Sequence, residues 1–154
     1  MKIADRIRLY QEYKVKNLWK FVNDWPYIQC VSLVKDYAKN VYKSPIWAFW
    51  GSAYNWYLNN NKTFNSQWKQ VPNTAWMIPI AWDILFWKPT PSNSYWHTAI
   101  AGDKNTTTTL DILEQNYVAW KSPHFWKWTW PASIMNRQRN YKDFVWVWRY
   151  IWQT

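Results

Sequence analysis

The chain has almost no glycine: 2 residues in 154, where average usage is about 7 %. A domain with many turns normally places glycine where φ is positive, so the deficit is a structural puzzle from the start. Cysteine is nearly absent as well. The single Cys30 excludes any intramolecular disulfide, and leaves a buried hydrophobe or a reactive thiol. No run of about 18 apolar residues exists, so no membrane-spanning helix is expected. The opening residues, MKIADRIRLYQEYKVK, lack the apolar core of a secretory signal. The expectation is a chain made in a host cytoplasm. Acids are scarce, 9 against 19 Lys and Arg, for a net charge of +10. That balance favours polyanionic partners, whether nucleic acid, anionic membrane or anionic wall polymer, without choosing among them.

What is abundant is tryptophan, with 17 residues. A length of 154 residues fits one domain with a real hydrophobic core. The spacing predicts a short amphipathic helix over residues 3–14, then a loop over 17–28 with Asn23, Asp24 and Pro26 as breakers. The clearest helix covers 29–42. There Cys30, Val31, Val34, Tyr37, Ala38 and Val41 share one face, while Lys35, Asp36, Lys39 and Asn40 take the other. A shorter helix is expected over 51–58. The second half carries short β-branched and aromatic runs, at 83–87, 97–101, 109–115 and 144–152, separated by turn-forming stretches. Helices first and strands second predict an α+β domain with helices packed on one antiparallel sheet.

Cys30 falls in the first turn of the clearest helix, where free backbone N–H groups and the helix dipole favour a thiolate. A structural cysteine at a helix start would look the same. His97 opens a predicted strand, a rigid place for a base. His124, in KSPHFWKW, lies in an irregular segment and ranks below it. Glu114 and Asn116 end the next strand. If that strand forms a hairpin with the His97 strand, either side chain can orient the imidazole. The plain alternative is a polar strand end facing solvent.

These residues lie in strings that resemble a known family. YIQCVSLVKDYAKN resembles the Gln-Cys helix start of the CHAP family (cysteine, histidine-dependent amidohydrolase/peptidase), as found in phage endolysins. PIAWDILFW resembles its Pro-x-x-Gly-Asp-Ile strand, YWHTAI its Gly-His-Val-Ala-Ile strand, LDILEQN its Glu-x-Asn ending and VWVWRY its final Gly-Trp-x-Arg strand. The five occur in family order. The resemblance implies a papain-like fold, with the Cys helix packed on a C-terminal antiparallel sheet. It implies Cys30 as nucleophile, His97 as general base, Glu114 as orienting residue and Asn116 as a further polar partner. Gln29 would help stabilise the oxyanion with the Cys30 backbone N–H, and Asp83 would be structural. The implied substrate is bacterial peptidoglycan, with anionic wall polymers as further partners. The expected molecule is a monomeric single domain over 1–154, with no separate wall-binding module, acting on the wall after release. Some phage members hold calcium near the Cys helix. Here Ser32 stands where an Asp would serve, and only Asn23 and Asp24 offer oxygens nearby, so no cofactor is expected. Two rival readings are a non-catalytic glycan-binding module on the same fold and a basic nucleic-acid-binding protein with stacking aromatics.

Set against these family patterns, tryptophan stands where glycine belongs. Trp82 precedes Asp83, Trp96 precedes His97, Trp25 lies in the loop before Gln29, and Trp146 precedes the final motif. Trp19 and Trp76 fall in loop-like stretches where glycine would be unsurprising. A gene from a genome that assigns UGA to glycine, translated with UGA as tryptophan, would produce the surplus and the deficit together. A Trp-rich surface for sugars or membrane interfaces and deliberate redesign are the other accounts. UGG codons at 82 and 96 would end the recoding account. It predicts that glycine at 25, 82 and 96 raises stability and activity.

Overall fold

The computed structural model describes residues 2–20, 22, 30–44, 52–58, 67–91, 96–115 and 134–151. Helix α1 covers Ile3–Asn17 and α2 covers Cys30–Tyr37, widening into a π-helical turn over Ala38–Tyr42. A third helix, α3, covers Ala53–Tyr57 and starts on a capping box between Ser52 and Asn55. Six strands follow: β1 Trp68–Pro72, β2 Ile84–Trp87, β3 His97–Ala101, β4 Leu110–Glu114, β5 Met135–Arg139 and β6 Phe144–Tyr150. They form one antiparallel sheet in the order β1-β6-β2-β3-β4-β5. The expected α+β architecture is what the chain adopts.

Strand alternation divides the core in two. Ile84, Phe86, Ile100, Leu113 and Trp148 face the helices and pack with Tyr10, Leu33, Val34 and Tyr37. On the other side, Leu85, Trp87, Ala99, Ala101, Leu110, Ile112 and Val147 form a second cluster. Helix α2 lies against β3, and α1 holds it from another side. The Tyr13 and Tyr37 rings meet edge to face at 4.7 Å, and Tyr13 Oη donates to Asp36 Oδ2 at 2.6 Å. This enclosure explains a departure from the helical pattern. Lys35 was expected on a solvent face, but it is buried, as are Ser32 and Leu33. A helix covered on several sides has no broad wet face, and the lysine's long stem can lie against apolar neighbours.

Strands β1 and β5 were not foreseen, and both are the sheet's edges. Elsewhere the bounds moved by a few residues, as α1 runs to Asn17 and β6 stops at Tyr150. Within the sheet the strings PIAWDILFW and VWVWRY meet. Asp83, buried, accepts from Arg149 Nε at 3.0 and 3.2 Å and from Arg149 Nη2 at 2.7 Å. Its Oδ2 also accepts from the Ile80 N–H at 3.0 Å. Burial pushes the Asp83 carboxyl above its usual range, with Arg149 pulling the other way.

The backbone bears on the tryptophans. Trp19 and Trp82 have φ of 67° and 91°, in the left-handed region that L side chains enter at a cost. Trp96 and Trp146 do not share this conformation, so backbone strain does not mark them, and Trp25 lies outside the described residues. Gly102, by contrast, is a residue that only glycine could supply, since a Cβ there would run into the Asp111 carboxylate. Trp82 also fills space. It is 1 % exposed, and its ring packs edge-on against Tyr37 and Tyr42 at 5.7 and 4.7 Å. Emptying such a site costs about 3–5 kcal/mol, whereas the strained backbone returns about 1–3 kcal/mol. The expected result for Trp82→Gly is therefore a loss of about 2 kcal/mol in thermal or denaturant unfolding. This reverses the sign expected from recoding at this position. A gain would mean that the core closes better around glycine, as recoding requires.

Candidate active site

Helix α2 begins at Cys30, at the rim of the sheet where β3 begins with His97. The Cys30 sulfur accepts hydrogen bonds from the backbone N–H groups of Val31 and Thr98, and it is hydrogen-bonded to the His97 side chain. Cys30 is partly exposed, whereas His97 is 7 % exposed. On its far side, His97 Nε2 lies 2.9 Å from Glu114 Oε2. With Nε2 engaged there, Nδ1 is the nitrogen left to face the thiol.

Sheet register explains why Glu114 reaches the ring. Strands β3 and β4 pair Ile100 with Leu113 and Ala101 with Ile112. One step further along that ladder sets Glu114 opposite Ala99, on the same face as His97 and diagonal to it. Trp87 sits directly opposite His97 on β2, its ring 5.8 Å away at 44°. Glu114 is 1 % exposed, so its charge acts through little water.

The electrostatics follow from that order. Burial pushes the Cys30 thiol up, but the His97 hydrogen bond and charge, with the two backbone N–H groups, outweigh it and hold the thiol below its ordinary range. Burial pushes His97 down, yet its hydrogen bonds and charge interactions with Cys30 and Glu114 raise it from 6.5 to about 9. The two shifts belong to one coupled pair. At neutral pH the arrangement favours a thiolate beside an imidazolium, the reactive form of a cysteine nucleophile.

Three residues nominated from the sequence thus meet: Cys30, His97 and Glu114. Gln29 and Asn116 lie outside the described residues, as does His124. Two neighbours were not foreseen, Arg137 and Arg139. They come from β5, within 3.3 Å of Glu114 Oε1 and 3.4 Å of Glu114 Oε2, respectively. The alternation in MNRQR, one charge on every second residue, was the available signal. For calcium, the loop with Asn23 and Asp24 is outside the described residues, and Ser32 offers only a buried hydroxyl. Among the described residues, no group of three or more His, Cys, Asp or Glu side chains is arranged for a metal ion.

The model of the CHAP domain family matches residues 20–116 of the sequence. The chain belongs to the CHAP domain family. The match takes in Cys30, His97 and Glu114, so the three residues that meet in space lie within the family's own span. Solved structures similar to this CHAP domain include the endolysin LysIME-EF1, at 17 % identity and a TM-score of 0.69, covering 97 % of this chain and 64 % of that one. Ly7917 is similar at 16 % identity and a TM-score of 0.61, covering 96 % of this chain and 62 % of its own. The same holds for Ly7917 with the hydrolyzing product of MDP, at 14 % identity and a TM-score of 0.61. At these identities the likeness establishes the fold. The chain spans less than two thirds of the length of these proteins. No curated protein matches the sequence. Among the described residues, no helix is long and apolar enough to cross a membrane.

Proposed function

We propose that this CHAP domain is a peptidoglycan hydrolase of the endolysin kind, cutting an amide or peptide bond of the bacterial wall through Cys30. The observation that carries the reading is the chain of contacts from Cys30 to His97 to Glu114 at the mouth of α2. The thiolate attacks the carbonyl carbon and forms a C–S bond. His97 gives its proton to the leaving nitrogen as the C–N bond breaks. Water then attacks the thioester carbon as His97 takes a proton from it, and the C–S bond breaks, which releases the carboxylic acid and returns the thiolate beside the imidazolium. Glu114 fixes the ring and stabilises the imidazolium. Gln29 and the Cys30 N–H would hold the oxyanion, and Asn116 would add a polar contact to His97. The likeness to the endolysin LysIME-EF1 supports the substrate class, and a net charge of +10 suits an anionic wall.

Purified peptidoglycan is the test. Amide hydrolysis liberates amino groups without new reducing ends, and mass spectrometry of the fragments names the bond. Release of reducing ends instead, or of nothing, would remove the proposal.

The pH profile should be bell-shaped. Below the lowered thiol range Cys30 is protonated and cannot attack. Above about 9, where His97 loses its proton, no acid remains for the leaving amine. Hydrolysis should therefore hold a plateau around neutrality and fall above about pH 9. Activity that keeps climbing past pH 9 would mean that the protonated imidazole is not used.

A further inference from the structure

Glu114 is held from two sides. His97 reaches it from β3, and Arg137 and Arg139 reach it from the edge strand β5. Register makes this unavoidable. Strand β5 pairs Met135 with Glu114, Arg137 with Ile112 and Arg139 with Leu110. Alternate residues share a face, so both guanidinium groups project on the face that carries Glu114. The Arg139 guanidinium also lies over the Trp87 ring at 5.1 Å, and that ring neighbours His97. The arginine side chains are only 32 % and 16 % exposed, beside a carboxylate with 1 %. Little water separates the three charges. Among the described residues, the charged groups facing Glu114 are His97, Arg137 and Arg139, with Cys30 of α2 beyond His97.

A single buried carboxylate against one imidazolium would bind its proton hard. That helps to orient the ring but hinders its work as an acid, which must surrender the proton to a leaving amine. We propose that Arg137 and Arg139 are positioning residues that pair with the Glu114 carboxylate, Arg137 at Oε1 and Arg139 at the Oε2 that also meets His97, and take up part of its charge, leaving His97 oriented yet able to release its proton. The inference rests on the hydrolytic reading of the pair, but its main readout does not.

The sequence holds two histidines, so an NMR titration of labelled histidine can follow His97, identified by its loss in His97→Ala. Removing a positive charge makes neighbouring protons harder to lose. Arg139→Met should therefore move the His97 midpoint up by about 0.5–1 unit, and Arg139→Lys, which keeps the charge, should leave it nearly in place. Hydrolysis at neutral pH should fall by about two- to fivefold in Arg139→Met as proton release slows, with both limbs of its profile displaced upward. If the arginines only propped Glu114 in place, their loss would free the carboxylate and the His97 midpoint would drop towards 6.5. A fall, or no movement, overturns the proposal. Strand β5 is an edge strand, so these variants should fold; should Arg139→Met not fold, Arg137→Met reads the same sign. A wild type that leaves peptidoglycan intact while the midpoint moves as expected would sink the hydrolase reading and spare this one.

Discussion

Cys30→Ala should abolish release of amino groups from purified peptidoglycan, by a factor on the order of 10⁴ or more, while the melting temperature stays close to that of the parent chain. The size follows from what is removed. No described side chain beside His97 offers another nucleophilic sulfur, and Cys30 is the only cysteine in the sequence. An imidazole alone activates water poorly compared with a thiolate held at a helix start. Stability should change little because Cys30 is partly exposed and small, so its removal opens no large cavity. Lysis that survives in a folded Cys30→Ala chain would point to a different nucleophile. Loss of both lysis and fold would be resolved by Cys30→Ser, which keeps the shape and replaces the thiolate with a poor nucleophile.

The second large effect is on stability. Arg149→Met should cost about 3–5 kcal/mol, because it leaves the Asp83 charge buried without its partner. Asp83 is 1 % exposed and takes three guanidinium contacts, with its other local bond coming from Ile80. The pair joins β6 to the turn that enters β2, so its loss loosens two central strands at once. Removing both charges together, in Asp83→Asn with Arg149→Met, should recover part of the loss, since the buried charge disappears with its partner. Denaturant unfolding of the two single variants and the double variant measures this. A single variant within about 1 kcal/mol of the parent would mean that water reaches Asp83 and the pair is not structural.

The sequence made some parts of the molecule legible and hid others for physical reasons. Strands β2, β3 and β4 were readable because central strands are covered on both faces and need continuous apolar runs such as ILFW. The edges β1 and β5 were not, since WKQVP and MNRQR have one free side and carry polar residues. That gap mattered, because β5 brings the arginines to Glu114. Cys30 and His97 were readable as a helix start and a strand start, and the five strings in family order joined them. Their meeting was not readable from either residue alone, because it depends on α2 lying across β3. The ladder between β3 and β4 then decided that Glu114, two residues before Asn116, shares the face of His97. Lys35 misled because helical periodicity assumes one wet side, and α2 lacks one.

The central claim is that Cys30 rests as a thiolate against the His97 imidazolium, and alkylation of the native chain by iodoacetamide across pH tests it most directly. The account predicts fast modification already at pH 7, little dependence on pH up to about 9, and loss of this advantage in His97→Ala. A native rate that climbs tenfold per pH unit towards the ordinary thiol range of about 8.5, the same with or without His97, would contradict it.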